Sequence, residues 1–296
     1  MRKKIAKLFW PISAPLAFIQ NHFKATLLVV IVLSLMMSNQ TELAPNNNLH
    51  KMHLNGPIFD SSAFLEEIEK ASKSHVKGLL VSINSPGGLV PPSVEMMMAL
   101  QELAQSKPVV VYAAGTLASG SYYASLGADY IIANPGSMVG SIGVIFQTMN
   151  VSALMEKVGV QPRVVKSGAY KEVGAMYREW EPHEKAALKK LSTDTYNMFL
   201  NDVIKSRKLE NEDPSKFANG RIFLASEALS LGLIDAVGNV SSAEAKIIEL
   251  SGVNSPIWNE KSDLEKLMVQ LSREASLGLT SVIENGLSTL TMYRQY

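Results

Sequence analysis

Three short segments hold the residues able to do chemistry. The first, at 83–88, reads INSPGG and follows directly on the apolar run GLLVSIN at 78–84. Paired glycines after a buried strand can turn the chain and leave backbone N–H groups, that of Gly88 among them, free to face an anion. Taken alone, the hexapeptide suits an ordinary strand-to-helix turn equally well. The second segment, at 115–124, reads GTLASGSYYA, again after an apolar run, VVVYAA at 109–114, and before a helical pattern. A serine at that helix start, Ser119, would be exposed on the same edge of a parallel sheet. The N–H of Gly120 could then join that of Gly88 in holding a tetrahedral oxyanion, the interaction that usually contributes most to acyl transfer.

A serine hydroxyl needs a base within hydrogen-bond reach. No histidine occurs between His75 and His183, and His75 precedes a strand at the end away from the glycine turn. Lysine is the other known base, once burial or a neighbouring cation lowers its pKa from about 10.4 toward neutrality. The third segment, VVKSGAYKE at 164–172, supplies Lys166 and Lys171. Most lysines are solvated surface groups, and on residue type alone neither is preferred.

These segments must be placed by an α/β domain. Apolar runs at 78–84, 109–114 and 130–133 predict strands buried on both faces, alternating with helices near 61–72 and 92–105. Met96, Met97 and Met98 read as core filling. A long helix of mixed charge is expected from Pro182 to about Arg207, with Glu179 to Glu184 at its positive end and His183 solvated. Ser241 and Ser242 read as helix caps. At 47% hydrophobic and 19% charged, a chain of 296 residues can bury a large core. The formal charge of +1 suggests no nucleic-acid partner, and the absence of cysteine removes disulfides, thiol catalysis and Cys-ligated metals. Five scattered histidines lack ligand spacing, and His50 and His53 fall before the expected core; no metal or cofactor is expected.

The amino terminus carries Arg2, Lys3, Lys4, Lys7 and Lys24 before an uncharged run at 25–38, ATLLVVIVLSLMMS. The positive-inside rule keeps residues 1–24 in the cytoplasm and sends the chain beyond the run outside. At about 1.5 Å per residue the run is shorter than a bilayer core of roughly 30 Å, so a cleaved signal peptide or a buried helix are alternatives to a retained anchor. The long n-region and the lack of a small-x-small site after it favour an anchor. A polar linker at 39–48 leads to the catalytic unit at 49–252, followed by a helical extension at 253–296. Within that extension, 263–290 alternates at helical spacing and suits docking or oligomerisation.

INSPGG, ASGSYYA, GSIGV at 140–144 and SGAYKE, in this order, resemble the signal peptide peptidase A (SppA) family of bacterial membrane-anchored serine peptidases. The similarity runs from about His53 to about Glu249. It implies a ClpP/crotonase-like fold with Ser119 as nucleophile and Lys171 as general base. Ser141 would orient the lysine, and Gly88 and Gly120 would form the oxyanion hole. Ser121 departs from the family pattern, which commonly has glycine there, and so competes with Ser119. Ala118, Tyr122 and Tyr123 favour Ser119. The resemblance also implies homo-oligomers whose sites take the serine from one protomer and the lysine from the next, so no bond between Ser119 and Lys171 is expected within one chain. Its substrates would be released signal peptides and similar hydrophobic segments, cut on the periplasmic side of the inner membrane. A crotonase-type acyl-CoA enzyme would need an acyl-CoA pocket and be indifferent to Ser119→Ala. A membrane-tethered scaffold without turnover is a further alternative. A Clp-type cytosolic peptidase would need a histidine soon after Ser119, and none is present there.

Overall fold

Strands rich in Val, Ile and Leu, separated by helices, form a parallel sheet because each parallel pairing needs a crossover. The computed structural model describes residues 47–259, within the compact unit Asn47–Tyr296. Strands β1 (His50–Asn55), β2 (Leu79–Ser85), β3 (Val109–Ala118), β4 (Tyr130–Ala133) and β7 (Ala236–Val237) lie side by side in that order, all parallel. The crossovers are α1 (Ser62–Ser72), α2 (Val90–Ala104) and α3 (Gly120–Ser125). Beyond them come β5 (Met138–Gly140), α4 (Ser152–Lys157), α5 (Pro182–Arg207), α6 (Pro214–Phe217), β6 (Ile222–Leu224), α7 (Ala225–Ser230) and α8 (Val240–Ser251). The expected α/β class is therefore present. The expected anchor at 25–38, residues 1–24 before it, the linker as far as residue 46 and the amphipathic tail at 263–290 lie outside the described residues. Among the described residues no helix is long and apolar enough to cross a membrane.

Alternate residues of each central strand feed two cores. Leu79, Val81 and Ile83 of β2 join Val109, Val111 and Ala113 of β3 beneath α2, α3 and α5, while Leu80, Val110 and Tyr112 face Ala243 and Ile247 of α8. Each buried Val, Leu or Ile among them contributes about 1.5–3 kcal/mol by leaving water.

Strand β3 runs four residues past the expected end at Ala114. The register with β2 slips between Ile83 and Ser85, and Asn84 Oδ1 accepts the Thr116 N–H at 2.9 Å inside the irregularity. The strand then resumes, pairing Thr116, Leu117 and Ala118 with Met138, Val139 and Gly140 of β5. Thus two parallel strands end together, and Ser119 and Ser141 are the next residue of each.

Three smaller expectations need correction. His50 is not ahead of the core: it is 4% exposed in β1, with Nε2 2.8 Å from Glu67. Met96 is buried but Met98 is 59% exposed, because α2 turns that position to solvent. The cap of α8 is Asn239, whose side chain accepts the Ser242 N–H, so Ser241 and Ser242 are inside the helix.

Gly127 lies where the chain after α3 packs against the backbone of α2. A Cβ there would lie 2.2 Å from the Met97 carbonyl oxygen and 2.8 Å from Gln101 N, both backbone. Gly127→Ala is expected to lower the urea unfolding midpoint by the equivalent of about 1–3 kcal/mol. A midpoint matching the parent would contradict that contact.

Candidate active site

Ser119 occupies a backbone conformation that L-residues avoid, φ 54° and ψ −124°. Such a conformation costs on the order of 1–3 kcal/mol and survives only where the surroundings enforce it. Here its N–H donates to Gly140 O at 2.8 Å, and its own O accepts the Tyr123 N–H at 2.9 Å. The turn projects the half-buried Ser119 from the end of β3, before a helix in which all six residues are buried. Helix α3 is itself pinned. Tyr122 donates its hydroxyl to Leu233 O at 2.8 Å, while Tyr123 stacks on Phe199 at 4.5 Å and donates to Asp202 of α5. Burial pushes the Tyr122 hydroxyl well above its ordinary pKa. Burial and then Asp202 do the same for Tyr123.

Ser121 has a different environment. It is fully buried, its hydroxyl donates to Ser85 O at 2.7 Å, and it accepts the Ala118 N–H at 2.9 Å. It stitches the end of β2 to the turn, whereas Ser119 Oγ makes no hydrogen bond among the described residues.

The glycine loop lies against this turn. Gly87 has φ 89°, and a Cβ on it would stand 2.4 Å from Gly120 N and 3.0 Å from Ser119 Cβ. Ile58 N–H donates to Gly87 O at 2.9 Å and Leu89 N–H to Ile58 O at 2.8 Å. This parallel bridge uses the groups on either side of Gly88 and leaves the Gly88 N–H on the opposite side. That side faces Gly120, since a Cβ on Gly120 would come 3.1 Å from Gly88 N and 2.3 Å from Ser93 Oγ. Two glycine amides thus stand next to the serine, and Gly88 is solvent-exposed. Ser85 and Ser93, which shape this corner, carry no signal in the sequence.

Ser141, also at positive φ (52°), donates its N–H to Arg221 O at 2.7 Å and is half-buried. Ser119 and Ser141 are brought together through the Ala118–Gly140 pairing. Lys171 is not brought to them: no hydrogen bond joins Ser119 and Lys171. The lysine is exposed in a stretch of turns within a long excursion between β5 and α5. A recess of about 540 Å³ beside it is lined only by residues of that excursion, among them Val165, Lys166, Ser167 and Tyr177. The excursion also exposes apolar side chains, including Ile145 at 82%, Met149, Leu154, Val158 and Val165.

Beside Lys171 lies an ion cluster that sequence reasoning missed. Glu172 accepts from Lys166 Nζ (2.5 Å), Tyr177 Oη (2.6 Å) and Arg178 Nη2 (3.2 Å). Arg178 also forks onto Glu184, with both contacts at 2.7 Å. Lys166, the other candidate base, is thereby occupied as an ion-pair partner. His183 is exposed, as expected, and also packs edge-on against Tyr170 at 5.2 Å. Among the described residues no three His, Asp or Glu side chains could hold a metal ion.

Residues 101–254 match the family described as Peptidase family S49. A protein of Methanocaldococcus jannaschii named as a protease is 40% identical over 192 residues, covering 65% of this chain and 61% of that one. One so named in Synechocystis is 38% identical over 192 residues, covering 65% and 69%. An Enterococcus faecium protein named as signal peptide peptidase SppA is 32% identical over 213 residues, covering 67% and 62%. The chain therefore spans about two thirds of these relatives' length, and it belongs to peptidase family S49, among relatives named SppA.

The cluster also sets an acid limit. Lys166, then Tyr177 and Arg178, hold the Glu172 carboxyl at about 2, and Arg178, then the Glu181 N–H, hold Glu184 at about 2. Both lie below the ordinary value of 4.5. Their stabilisation is complete above about pH 4.5 and is lost as pH falls toward about 2. Trp180, whose Nε1–H donates to Ala175 O at 2.9 Å, reports on this region. With Trp10 and Trp258 replaced by phenylalanine, its fluorescence is expected to stay constant from pH 8 to 5 and to shift red below about 4.5. A transition above pH 6 would contradict the assignment.

Proposed function

We propose that this chain is a serine peptidase of ClpP/crotonase-like fold in which Ser119 is the nucleophile, Lys171 the general base, Ser141 the residue orienting the lysine, and Gly88 and Gly120 the oxyanion donors. One observation carries this reading: Ser119 is held on a strained strand-to-helix turn beside two glycine amides, while the hydroxyl of Ser121 is already spent on Ser85 and Ala118.

The neutral amine of Lys171 takes the proton from Ser119 Oγ as Oγ bonds to the peptide carbonyl carbon. The carbonyl electrons move onto oxygen, and the N–H groups of Gly88 and Gly120 donate hydrogen bonds to the resulting oxyanion. Collapse breaks the C–N bond, and the departing amine leaves with the proton from the Lys171 ammonium. Water, giving a proton to the same amine, then splits the ester and returns Ser119 Oγ as a hydroxyl.

The lysine reaches this serine from a second copy of the chain. Support comes from the missing Ser119–Lys171 bond within one chain and from the exposed apolar excursion that carries Lys171. Hydrophobic, extended peptides such as released signal peptides are the proposed substrates, held as an added strand. The uncharged run at 25–38 would keep the domain on the outer face of the cytoplasmic membrane.

Ser119→Ala and Lys171→Ala are each expected to lower peptidase rate by at least about a thousandfold without loss of folding. Dissociated, mixed and reassembled together, the two should recover about one quarter of the parent rate, as random mixing in a closed ring dictates. Inactive mixed assemblies would contradict the shared site, and an active Ser119→Ala protein would remove the nucleophile.

A further inference from the structure

Residues 167–174 form neither helix nor strand. Their backbone–backbone hydrogen bonds are turn bonds, such as Lys171 N–H to Gly168 O at 3.2 Å and Val173 N–H to Tyr170 O at 3.3 Å. A lysine on such a loop cannot present its amine at a fixed point unless the loop is fastened elsewhere, because small misplacements cost rate steeply.

The next residue provides the fastening. Glu172 is 13% exposed on its side chain and Glu184 is 1% exposed, with the Arg178 guanidinium between them. Arg178 Nη1 donates to Glu184 Oε2 and Nη2 to Oε1, while Nη2 also reaches Glu172 Oε2 at 3.2 Å and the Glu172 carbonyl at 3.4 Å. Glu184 sits in the first turn of α5, where Oε2 also accepts the Glu181 N–H at 2.8 Å in a capping box. A planar guanidinium can serve two carboxylates in fixed directions; an ammonium cannot.

We propose that Arg178 is a positioning residue for Lys171, tying the residue after the lysine to the buried start of α5. The proposal rests on Lys171 being the base. It also gives α5 a defined part: its start holds the lysine loop, and its later turns hold Tyr123 behind Ser119 through Phe199 and Asp202. One rigid helix fixes both half-sites of a protomer.

The test measures peptide hydrolysis by oligomers isolated by size exclusion. Arg178→Ala is expected to lower kcat at least about tenfold with KM within about threefold. Arg178→Lys should recover part of kcat. Glu172→Gln, which removes the other end of the tie, should also lower kcat, and the double variant Arg178→Ala/Glu172→Gln should be no worse than Arg178→Ala. Parent-like kcat in assembled Arg178→Ala or Glu172→Gln, or losses that multiply in the double variant, would overturn the proposal. Lys171→Ala separates the two levels: if it is inactive while Arg178→Ala is normal, only the tie fails; if it is active, the base assignment itself fails.

Discussion

A side chain at φ 54° resists staying there, and most of the architecture around Ser119 serves to hold it. The turn is anchored from ahead by Gly140 O, from behind by the first bond of α3, and from beneath by the Ser121 hydroxyl. Each anchor depends on a larger element: Gly140 on β5, Tyr123 on α5, and Ser121 on the end of β2. The parallel sheet brings those ends to one edge, as chain direction requires. The close approach of the glycine loop comes from the same constraint, since any side chain at Gly87 or Gly120 would strike backbone or Ser93.

The Lys171 segment is built in the opposite way. It has almost no buried apolar anchor and relies on charged groups at the entrance to α5. Surface ion pairs contribute little when isolated, but a shared guanidinium between a nearly buried and a mostly buried carboxylate specifies geometry as well as energy. The nucleophile edge is thus held by the sheet and the buried helices, and the exposed apolar excursion that carries Lys171 is held by charge.

Much of this was legible in the sequence. The buried strands declare themselves through runs of Val, Ile and Leu, so β4 falls where predicted and β2 within a residue of it. The helix Pro182–Arg207 is announced by its proline start and acidic first turn. Ser119, Gly88 and Gly120 could be nominated because the chemistry demands a hydroxyl and amides on one sheet edge, whereas Ser141, and Lys171 ahead of Lys166, came only from the resemblance to the SppA family. The continuation of β3 to Ala118 was hidden by Gly115 and Thr116, which break the apolar pattern at an irregularity that only the Asn84 side chain explains. The short strands β5, β6 and β7 carry too few residues to show a period. Arg178 and Glu184 look like any surface charges until the fold places them together, and Met98 shares its composition with two packed neighbours while pointing to solvent.

The claim that Ser119, rather than Ser121, bears the reactive hydroxyl can be read from one measurement. Assembled protein is treated with a serine-reactive fluorophosphonate, and the modified residue is located by fragment mass spectrometry. A single adduct on Ser119 Oγ is expected, absent from Ser119→Ala. An adduct on Ser121, or peptide cleavage that continues undiminished once Ser119 Oγ is fully modified, would contradict it.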